Sequence, residues 1–584
     1  MDYSNIYSWL KEKVISAAKK LSPELMDFSQ IVIETPKDKS HGDLSTNAAM
    51  IIAKSLKISP REVAIKIKEL LESSDEFESI EVAGAGFINF KFNNNFWHQV
   101  FAHIISLKGD FGKSNSGNNE KINIEFVSAN PTGPMHIGHA RGAIYGDALA
   151  RVMTFTGYDI TREYYVNDAG SQIDILVKSA HLRYREAFGE KITIPEGYYP
   201  GEYLKTIAEN LKEKFANKFT DIENLDLYLE FRKLIVDGML SLIKQDLLGL
   251  KVQHDYFFFE SQMHGSLADK KDLVSDTIEI LKKYGLVYEG KLPAPKGETQ
   301  EDWDDREQLL FKSTDYGDDQ DRSLTKTDGS WTYFAGDVSY AKNKIDRGFN
   351  KNIIILGADH CGYVKRLQAV YDALSKGSSS AQILLCQMVN FIENGKPVKM
   401  SKRAGNFTTV DDVIKEVDPD ILRFIMLTRK NDVILDFDLD IVKMQSKENP
   451  VFYVQYARVR ALSIIENAKN NFPDIYKIYE ENKYDISQLQ AAPEIGLIRL
   501  MSAWPKVVLS VANTGEVHRI AYYLQELASD FHAFWNLGKD YPDYRFIIPE
   551  SHKLSAGRLI LVYSVANIIA IGLNLLGVKP LNKM

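Results

Sequence analysis

The chemistry in this sequence is densest in Glu125-Phe-Val-Ser-Ala-Asn-Pro-Thr-Gly-Pro-Met-His-Ile-Gly-His-Ala-Arg-Gly-Ala, residues 125–143. The stretch leaves a run of strand-forming residues, turns between Pro131 and Pro134, and then takes up helical spacing. His136 and His139 fall three positions apart, on one helix face. A helix that starts at the carboxyl end of a parallel strand presents unpaired backbone N–H groups and the positive end of its dipole, which suits phosphate. Two imidazoles at that place can donate to phosphate oxygens as charge develops in phosphoryl transfer. Gly138 between them leaves room for a flat ring against the backbone. A histidine pair capping a surface helix is the plainer alternative, and the rest of the chain decides between the two.

Positioning such residues needs a sheet. The pattern predicts a strand over Ile122 to Val127, a helix from about Met135 to Phe155 and a strand near Ile160 to Tyr165, the start of a βαβ unit. A strand at Asn352 to Gly357, a helix near Tyr363 to Ser375 and a strand in Ile383 to Val389 form a second half, so the sheet is split. Between the halves, from about residue 190 to 330, lie long polar helices and an acidic stretch from Glu298 to Asp321, expected as an insertion. Residues 1–115 are expected to be a small α+β unit. Helical periodicity covers Ile6 to Ala18 and Asp43 to Leu56, Pro60 opens a further helix, and Ile80 to Phe90 forms a hairpin turning at its glycines. The polar run Lys113 to Glu120 is a linker. After Asp440 helical periodicity dominates, through Val451 to Ala468, Ile495 to Ser510, Val517 to Leu537 and Leu554 to Leu576, giving a bundle of four or five helices.

The chain has 584 residues, more than one hydrophobic core usually holds, with 71 basic and 79 acidic side chains and a formal charge of −8. At 45 % hydrophobic and 26 % charged it is neither disordered nor fibrous. Cys361 and Cys386 are too few for a disulfide framework or a thiolate zinc site, which favours a reducing, cytoplasmic setting. The run Leu559 to Val578 carries no charge and reaches membrane-spanning length, but Ser564, Asn567, Asn574 and two glycines interrupt it, so a buried helix is expected instead. A pI near 5.9 argues against indiscriminate nucleic-acid binding and leaves room for a local basic face.

His136-Ile-Gly-His resembles the HIGH signature of class I aminoacyl-tRNA synthetases and related nucleotidyltransferases, and Lys399-Met-Ser-Lys-Arg resembles their second signature, KMSKS. Arg403 replaces the final serine of that pattern. The wording Ser-Ala-Asn-Pro-Thr-Gly-Pro before the histidines and the stretch Trp331-Thr-Tyr-Phe-Ala-Gly-Asp-Val-Ser-Tyr-Ala are similar to the arginyl-tRNA synthetase family in particular. That resemblance implies a multidomain α/β chain with a split Rossmann-like parallel-sheet catalytic domain carrying an insertion, a small α+β N-terminal domain and an all-α C-terminal bundle. The boundaries expected are 1–115, 116–440 and 441–584.

The resemblance also implies roles. His136, His139, Lys399 and Lys402 would carry the chemistry, the lysines by neutralising charge on departing pyrophosphate. Pro134, Gly138, Met400 and Ser401 would contact ATP. A guanidinium is a planar fork of donors that calls for carboxylates and a flat partner, and Asp337 with Tyr333 one turn earlier suits it. Glu125, Ser128 and Asn130 would hold the amino group or the guanidinium, and Asp359 and His360 would add contacts to adenylate or arginine. Residues 36–92 are similar to the family's tRNA-elbow-binding domain. Tyr453, Tyr456, Arg458 and Arg460 would contact tRNA in the anticodon-binding bundle, by stacking and by phosphate contacts; a helix core stripe with a solvated face is the equal alternative for these four. The substrates implied are arginine, tRNA(Arg) and ATP with Mg2+; no protein-bound metal site and no membrane are expected, and a cytoplasmic monomer is. Another class I synthetase, a smaller nucleotidyltransferase and an inactive RNA-binding relative are the competing functions.

Overall fold

The computed structural model describes residues 3–263, 272–292, 306–397, 409–444, 446 and 448–584. It divides into two compact units, Met1–Ser114 with Gln445–Met584, and Asn115–Met444.

The first unit begins with α1 (Ile6–Leu21), β1 (Ile33–Glu34), β2 (Leu44–Thr46), α2 (Ala48–Leu56), α3 (Pro60–Leu71), β3 (Phe77–Ala83), β4 (Phe87–Phe92) and α4 (Asn94–Leu107). Its strands make an antiparallel sheet in the order β1-β2-β4-β3. Pro60 occupies the first turn of α3 behind a Ser59–Glu62 capping box, which explains why this helix was legible locally. The expected single helix from Asp43 to Leu56 is instead a strand followed by a helix. Asp43 is drawn into the sheet, its N–H donating to Phe90 O at 2.7 Å and its carboxylate accepting the Phe92 N–H at 2.8 Å.

The second unit holds the split sheet. Its elements are β5 (Lys121–Glu125), α5 (Ile137–Phe155), β6 (Asp159–Val166), α6 (Ser171–Ala187), α7 (Tyr203–Phe215), α8 (Leu225–Gly249), β7 (Tyr256–Phe259), α9 (Leu273–Lys283), β8 (Val287–Gly290), β9 (Gln308–Phe311), β10 (Arg322–Ser323), α10 (Tyr333–Asp346), β11 (Lys351–Gly357), α11 (Val364–Ser375), β12 (Ser380–Cys386), β13 (Val389–Glu393), β14 (Lys396–Pro397), α12 (Val410–Glu416), α13 (Pro419–Met426), β15 (Leu435–Asp438) and α14 (Leu439–Val442). Five parallel strands pair in the order β12-β11-β5-β6-β7. The order reverses between β5 and β11, and the crevice beyond their carboxyl ends is the place where such sheets bind ligands.

Two differences from the sequence expectation stand out here. The region expected as an insertion returns to the main sheet at β7, where the short aromatic run Tyr-Phe-Phe-Phe pairs with β6, before a small antiparallel sheet β10-β9-β8. The strand expected in Ile383 to Val389 is two strands, since Gln387 leaves β12 to donate to Asn431 O at 2.8 Å and β13 then pairs with β15.

The remainder of the first unit is helical: α15 (Pro450–Asn471), α16 (Pro473–Glu480), α17 (Ala492–Ser502), α18 (Trp504–Thr514), α19 (His518–Asp540) and α20 (His552–Leu575). The expected helix from Ile495 to Ser510 is broken in two, with Pro505 in the first turn of α18. The bundle therefore has six helices among the described residues. The charge-free run lies in α20, where Leu559, Leu561, Val562, Val565, Ile568 and Ile569 are buried. The start of α20 is pinned by Arg558, whose buried guanidinium pairs with Glu494 of α17 at 2.7 Å.

Candidate active site

The chain leaves β5 through two consecutive residues in the left-handed region, Val127 at φ 72° and Ser128 at φ 42°. For a β-branched residue this conformation is strained by about 1–3 kcal/mol, and it persists only where neighbours enforce it. The neighbours are present. Phe126 is buried against Gly146 of α5, where a Cβ would lie 2.4 Å from the ring, so only glycine permits the approach. Ser128 Oγ donates to Glu125 Oε1 at 3.2 Å and accepts the Tyr165 N–H at 3.1 Å, and Tyr164 Oη donates to Ala129 O at 2.7 Å.

The turn delivers His136 as the N-cap of α5. Its Nδ1 accepts the Gly138 N–H at 3.0 Å, so a neutral ring carries its proton on Nε2, where it can donate to an oxygen. His139 follows with its ring centroid 6.4 Å away and nearly perpendicular. Gly138 and His139 are exposed and Pro134 is partly exposed, so this helix end is open to a ligand.

Beside it, three carboxylates from different strands and helices have different fates. Glu163 of β6 is fully buried and saturated: it accepts from Asn123 Nδ2 at 2.6 Å, Tyr340 Oη at 2.7 Å and the Arg347 guanidinium. Burial works against its charge, but Lys344, Arg347 and Tyr340 together hold it below the usual carboxylate range. Glu125, at the end of β5, pairs with the wholly buried Nζ of Lys344 at 2.5 Å. Asp337 of α10 accepts no hydrogen bond from any described residue. Burial first, and then Glu125 and Glu260, push its carboxyl up to about 7, with Arg366 only partly offsetting them. A desolvated acid beside two carboxylates, ion-paired with no cation among the described residues, would be completed by a guanidinium.

Tyr333, the first residue of α10, is 69 % exposed, and its hydroxyl lies about 4.0 Å from the side-chain position that Gly170 leaves empty. It stands one turn before Asp337 on the same helix. Asn130 donates to Gln172 Oε1 at 3.1 Å on the exposed side of the turn. Asp359 and His360 sit on a 3-10 turn at the carboxyl end of β11, both exposed, with His360 Nε2 3.6 Å from Asp359 Oδ2. Lys399, Met400, Ser401 and Lys402 lie outside the described residues. No group of three or more His, Cys, Asp or Glu side chains placed to hold a metal occurs among the described residues.

Sequence reasoning missed Lys344, Arg347, Glu163 and Arg141. Lys344 follows Asp337 by seven positions on the same helix face, a signal that only its partner 219 residues away makes meaningful. Arg141, fully buried on α5, donates to Gln387 O, Val433 O and Lys430 O at 2.7–3.0 Å and ties the histidine helix to the segments around β13 and β15.

On α15 of the other unit, Tyr453, Tyr456 and Arg460 come together and Arg458 turns away. Arg460 lies 4.3 Å over the Tyr456 ring, donates to Tyr456 Oη at 2.8 Å and meets His532 Nδ1 at 2.8 Å. The Tyr453 and His532 ring centroids are 4.7 Å apart. With Trp535, Arg545 and Phe546, Tyr456 and Arg460 line an open cavity of about 720 Å3. Arg458 instead bonds Ala566 O at 2.7 Å and Asn582 Oδ1 at 2.8 Å.

Three family models match the chain: the arginyl tRNA synthetase N terminal domain over residues 8–92, the catalytic domain of tRNA synthetases class I (R) over 101–445, and the DALR anticodon binding domain over 454–584. The chain is 51 % identical to arginine–tRNA ligase of Rickettsia felis over 580 residues, 99 % of this chain and 100 % of that one, and 51 % identical over the same shares to that of Rickettsia prowazekii. The solved structure of Thermus thermophilus arginyl-tRNA synthetase shares its fold with a TM-score of 0.73 and 18 % identity, covering 99 % of this chain and 100 % of that one.

Proposed function

We propose, for a chain that belongs to the class I arginyl-tRNA synthetase family and is an arginine–tRNA ligase, a division of labour among its residues. Asp337 receives the guanidinium of arginine in a bidentate pair, Glu125 and Ser128 form the adjoining wall, and Tyr333 covers the mouth. Asn130 lies beside the amino group, and Asp359 and His360 border the adenylate from β11. The carboxylate of arginine attacks the α-phosphorus of ATP; its oxygen–phosphorus bond forms as the bond to pyrophosphate breaks. His136 and His139 stabilise the charge on the phosphate oxygens, ATP rests on Pro134 and Gly138, and Lys399 and Lys402, with Met400 and Ser401 beside them, neutralise the leaving pyrophosphate. The terminal ribose hydroxyl of tRNA(Arg) then attacks the arginyl carbonyl carbon and AMP departs. Mg2+ arrives with the triphosphate as part of the substrate.

The observation that supports this reading is Asp337, an acid without a donor among the described residues and raised to about 7 beside other carboxylates. For tRNA, Tyr453, Tyr456 and Arg460 supply the stacking surface on α15, with Arg458 behind it. A three-domain division at about 115 and 440 is supported, without these bounds being fixed, by family models matching residues 8–92, 101–445 and 454–584. The chain acts as a cytoplasmic monomer, a setting that fits its part in translation. The test is ATP–pyrophosphate exchange with each amino acid, with and without tRNA. Exchange with arginine alone, lost on Asp337→Ala at any attainable arginine concentration, is the expected result; exchange by the variant with unchanged KM for arginine would overturn the pocket.

A further inference from the structure

The helix α5 does not by itself place His136, because an N-cap residue lies half outside its helix and takes extended backbone angles, here φ −77° and ψ 145°. Its position is therefore set by what holds the two or three residues before the helix. Met135 is held from both sides. Its N–H donates to Asp246 Oδ2 of α8 at 2.8 Å, and its carbonyl accepts the Val410 N–H of α12 at 2.9 Å. His136 itself pairs with Thr409 in an isolated antiparallel bridge. Thr409 in turn caps α12, exchanging hydrogen bonds with Asp412 at 2.9 and 3.1 Å. Asp246 is 7 % exposed, on a helix that neither signature contains.

We propose that Asp246 is a positioning residue for amino-acid activation, holding His136 in register through the backbone of Met135. The inference rests on the assignment of His136 to the ATP phosphates. A charged acceptor makes the stronger bond to an amide, so the anchor weakens when the carboxylate takes up a proton. That proton binds readily here. Burial raises the Asp246 carboxyl to about 6, and the facing carboxylates Asp411 and Asp412 of α12 add to the effect while the Met135 N–H opposes it. Lys415, the nearby cation of α12, is occupied by Asp411 at 2.5 Å. The sign follows: the anchor is firm above about pH 6 and loosens below it.

The experiment is the pH profile of kcat for arginine-dependent pyrophosphate exchange by the full chain with tRNA at saturating arginine, so that titration in the arginine pocket drops out. The native chain should show an acid limb centred near pH 6. Asp246→Asn, a neutral acceptor that copies the protonated acid, should lose that limb and run at a flat kcat roughly 3–10-fold below the native value at pH 8. Asp246→Ala, with no acceptor, should fall further, on the order of 10–100-fold, with KM for arginine within about twofold of native. A native-like limb in the Asn variant, or native kcat in the Ala variant, overturns the proposal. If the Ala variant does not fold, the Asn profile decides alone. His136→Asn, run beside them, separates the premise: native kcat there removes the role of His136 whatever the Asp246 variants do.

Discussion

Asp337 on α10 and Arg458 on α15 are both partly buried ionisable residues on helices, and they are left in opposite conditions. Asp337 has no donor among the described residues, and its carboxyl is driven up to about 7. Arg458 gives its two terminal guanidinium nitrogens to Ala566 O and Asn582 Oδ1, within the bundle, and leaves only its Nε without a bond among the described residues. The same contrast recurs inside the catalytic unit between Asp337 and Glu163, whose oxygens are filled by Asn123, Tyr340 and Arg347. Buried polar groups are normally satisfied, so Glu163, with its oxygens filled, marks architecture, and Asp337, desolvated and without a donor among the described residues, marks a place that a ligand completes.

The harshest way to break this contrast is to turn a saturated site into an unsatisfied one. Lys344→Met leaves Glu125 buried without its cation, and the chain should lose on the order of 3–5 kcal/mol of stability, read as a lower denaturant midpoint. A stability within about 1 kcal/mol of native would mean that water reaches Glu125 and that the floor of the pocket is not sealed.

The converse change, at the unsatisfied acid, should cost function and spare the fold. Asp337→Asn should raise KM for arginine by about 30- to 1000-fold, equivalent to about 2–4 kcal/mol of lost pairing, while thermal stability holds or rises. The sign comes from linkage. The folded chain keeps the Asp337 proton up to about 7, above the 3.8 of an ordinary aspartate, so the group's contribution to ligand-free stability falls as pH rises between those values. Arginine needs the ionised form. Its affinity for the native chain should therefore climb about tenfold per pH unit up to about 7 and level off above, and the Asn variant should show no such slope. A native chain whose KM for arginine is constant from pH 5.5 to 8 would place the ionised carboxylate elsewhere.

These pairings also explain what was legible in the sequence. The strand–turn–helix–strand run from Lys121 to Val166 could be read because its signals are local: β-type residues, a proline-bounded turn and helical spacing. The two histidines, Asp337 and Tyr333 are singled out only by the resemblance of their stretches to the family, since as residue types at short spacing they read as surface pairs, and Glu125 by its place just before the histidine helix. Lys344, Arg347 and Asp246 are not, because each is defined by a partner about a hundred or more residues away, and spacing along the chain carries no trace of that. The strand β7 was missed for a related reason, as four aromatic-rich residues after a long helix look like its continuation until β6 supplies the ladder. In the bundle the break at Ala503 was there to be seen in Trp504-Pro505, and helical periodicity on both sides concealed it.

The smallest effect expected distinguishes the two arginines of α15, which sequence reasoning placed in one role. Arg458→Ala should lower stability of its unit by about 1.5–3 kcal/mol, since it removes charge-assisted bonds to Ala566 O and Asn582, and should alter KM for tRNA(Arg) little. Arg460→Ala should do the reverse. It removes the cation 4.3 Å above Tyr456 at the rim of the open cavity, and stacking on such a pair is worth about 1–3 kcal/mol per base. KM for tRNA should rise about tenfold or more, with kcat for aminoacylation at saturating tRNA near native, because the change is in binding and not at the reacting phosphate. Equal losses of stability from both variants would make Arg460 a second architectural residue. The bundle would then read its nucleic acid through other groups, and the rule drawn from Asp337 would hold for the catalytic unit only.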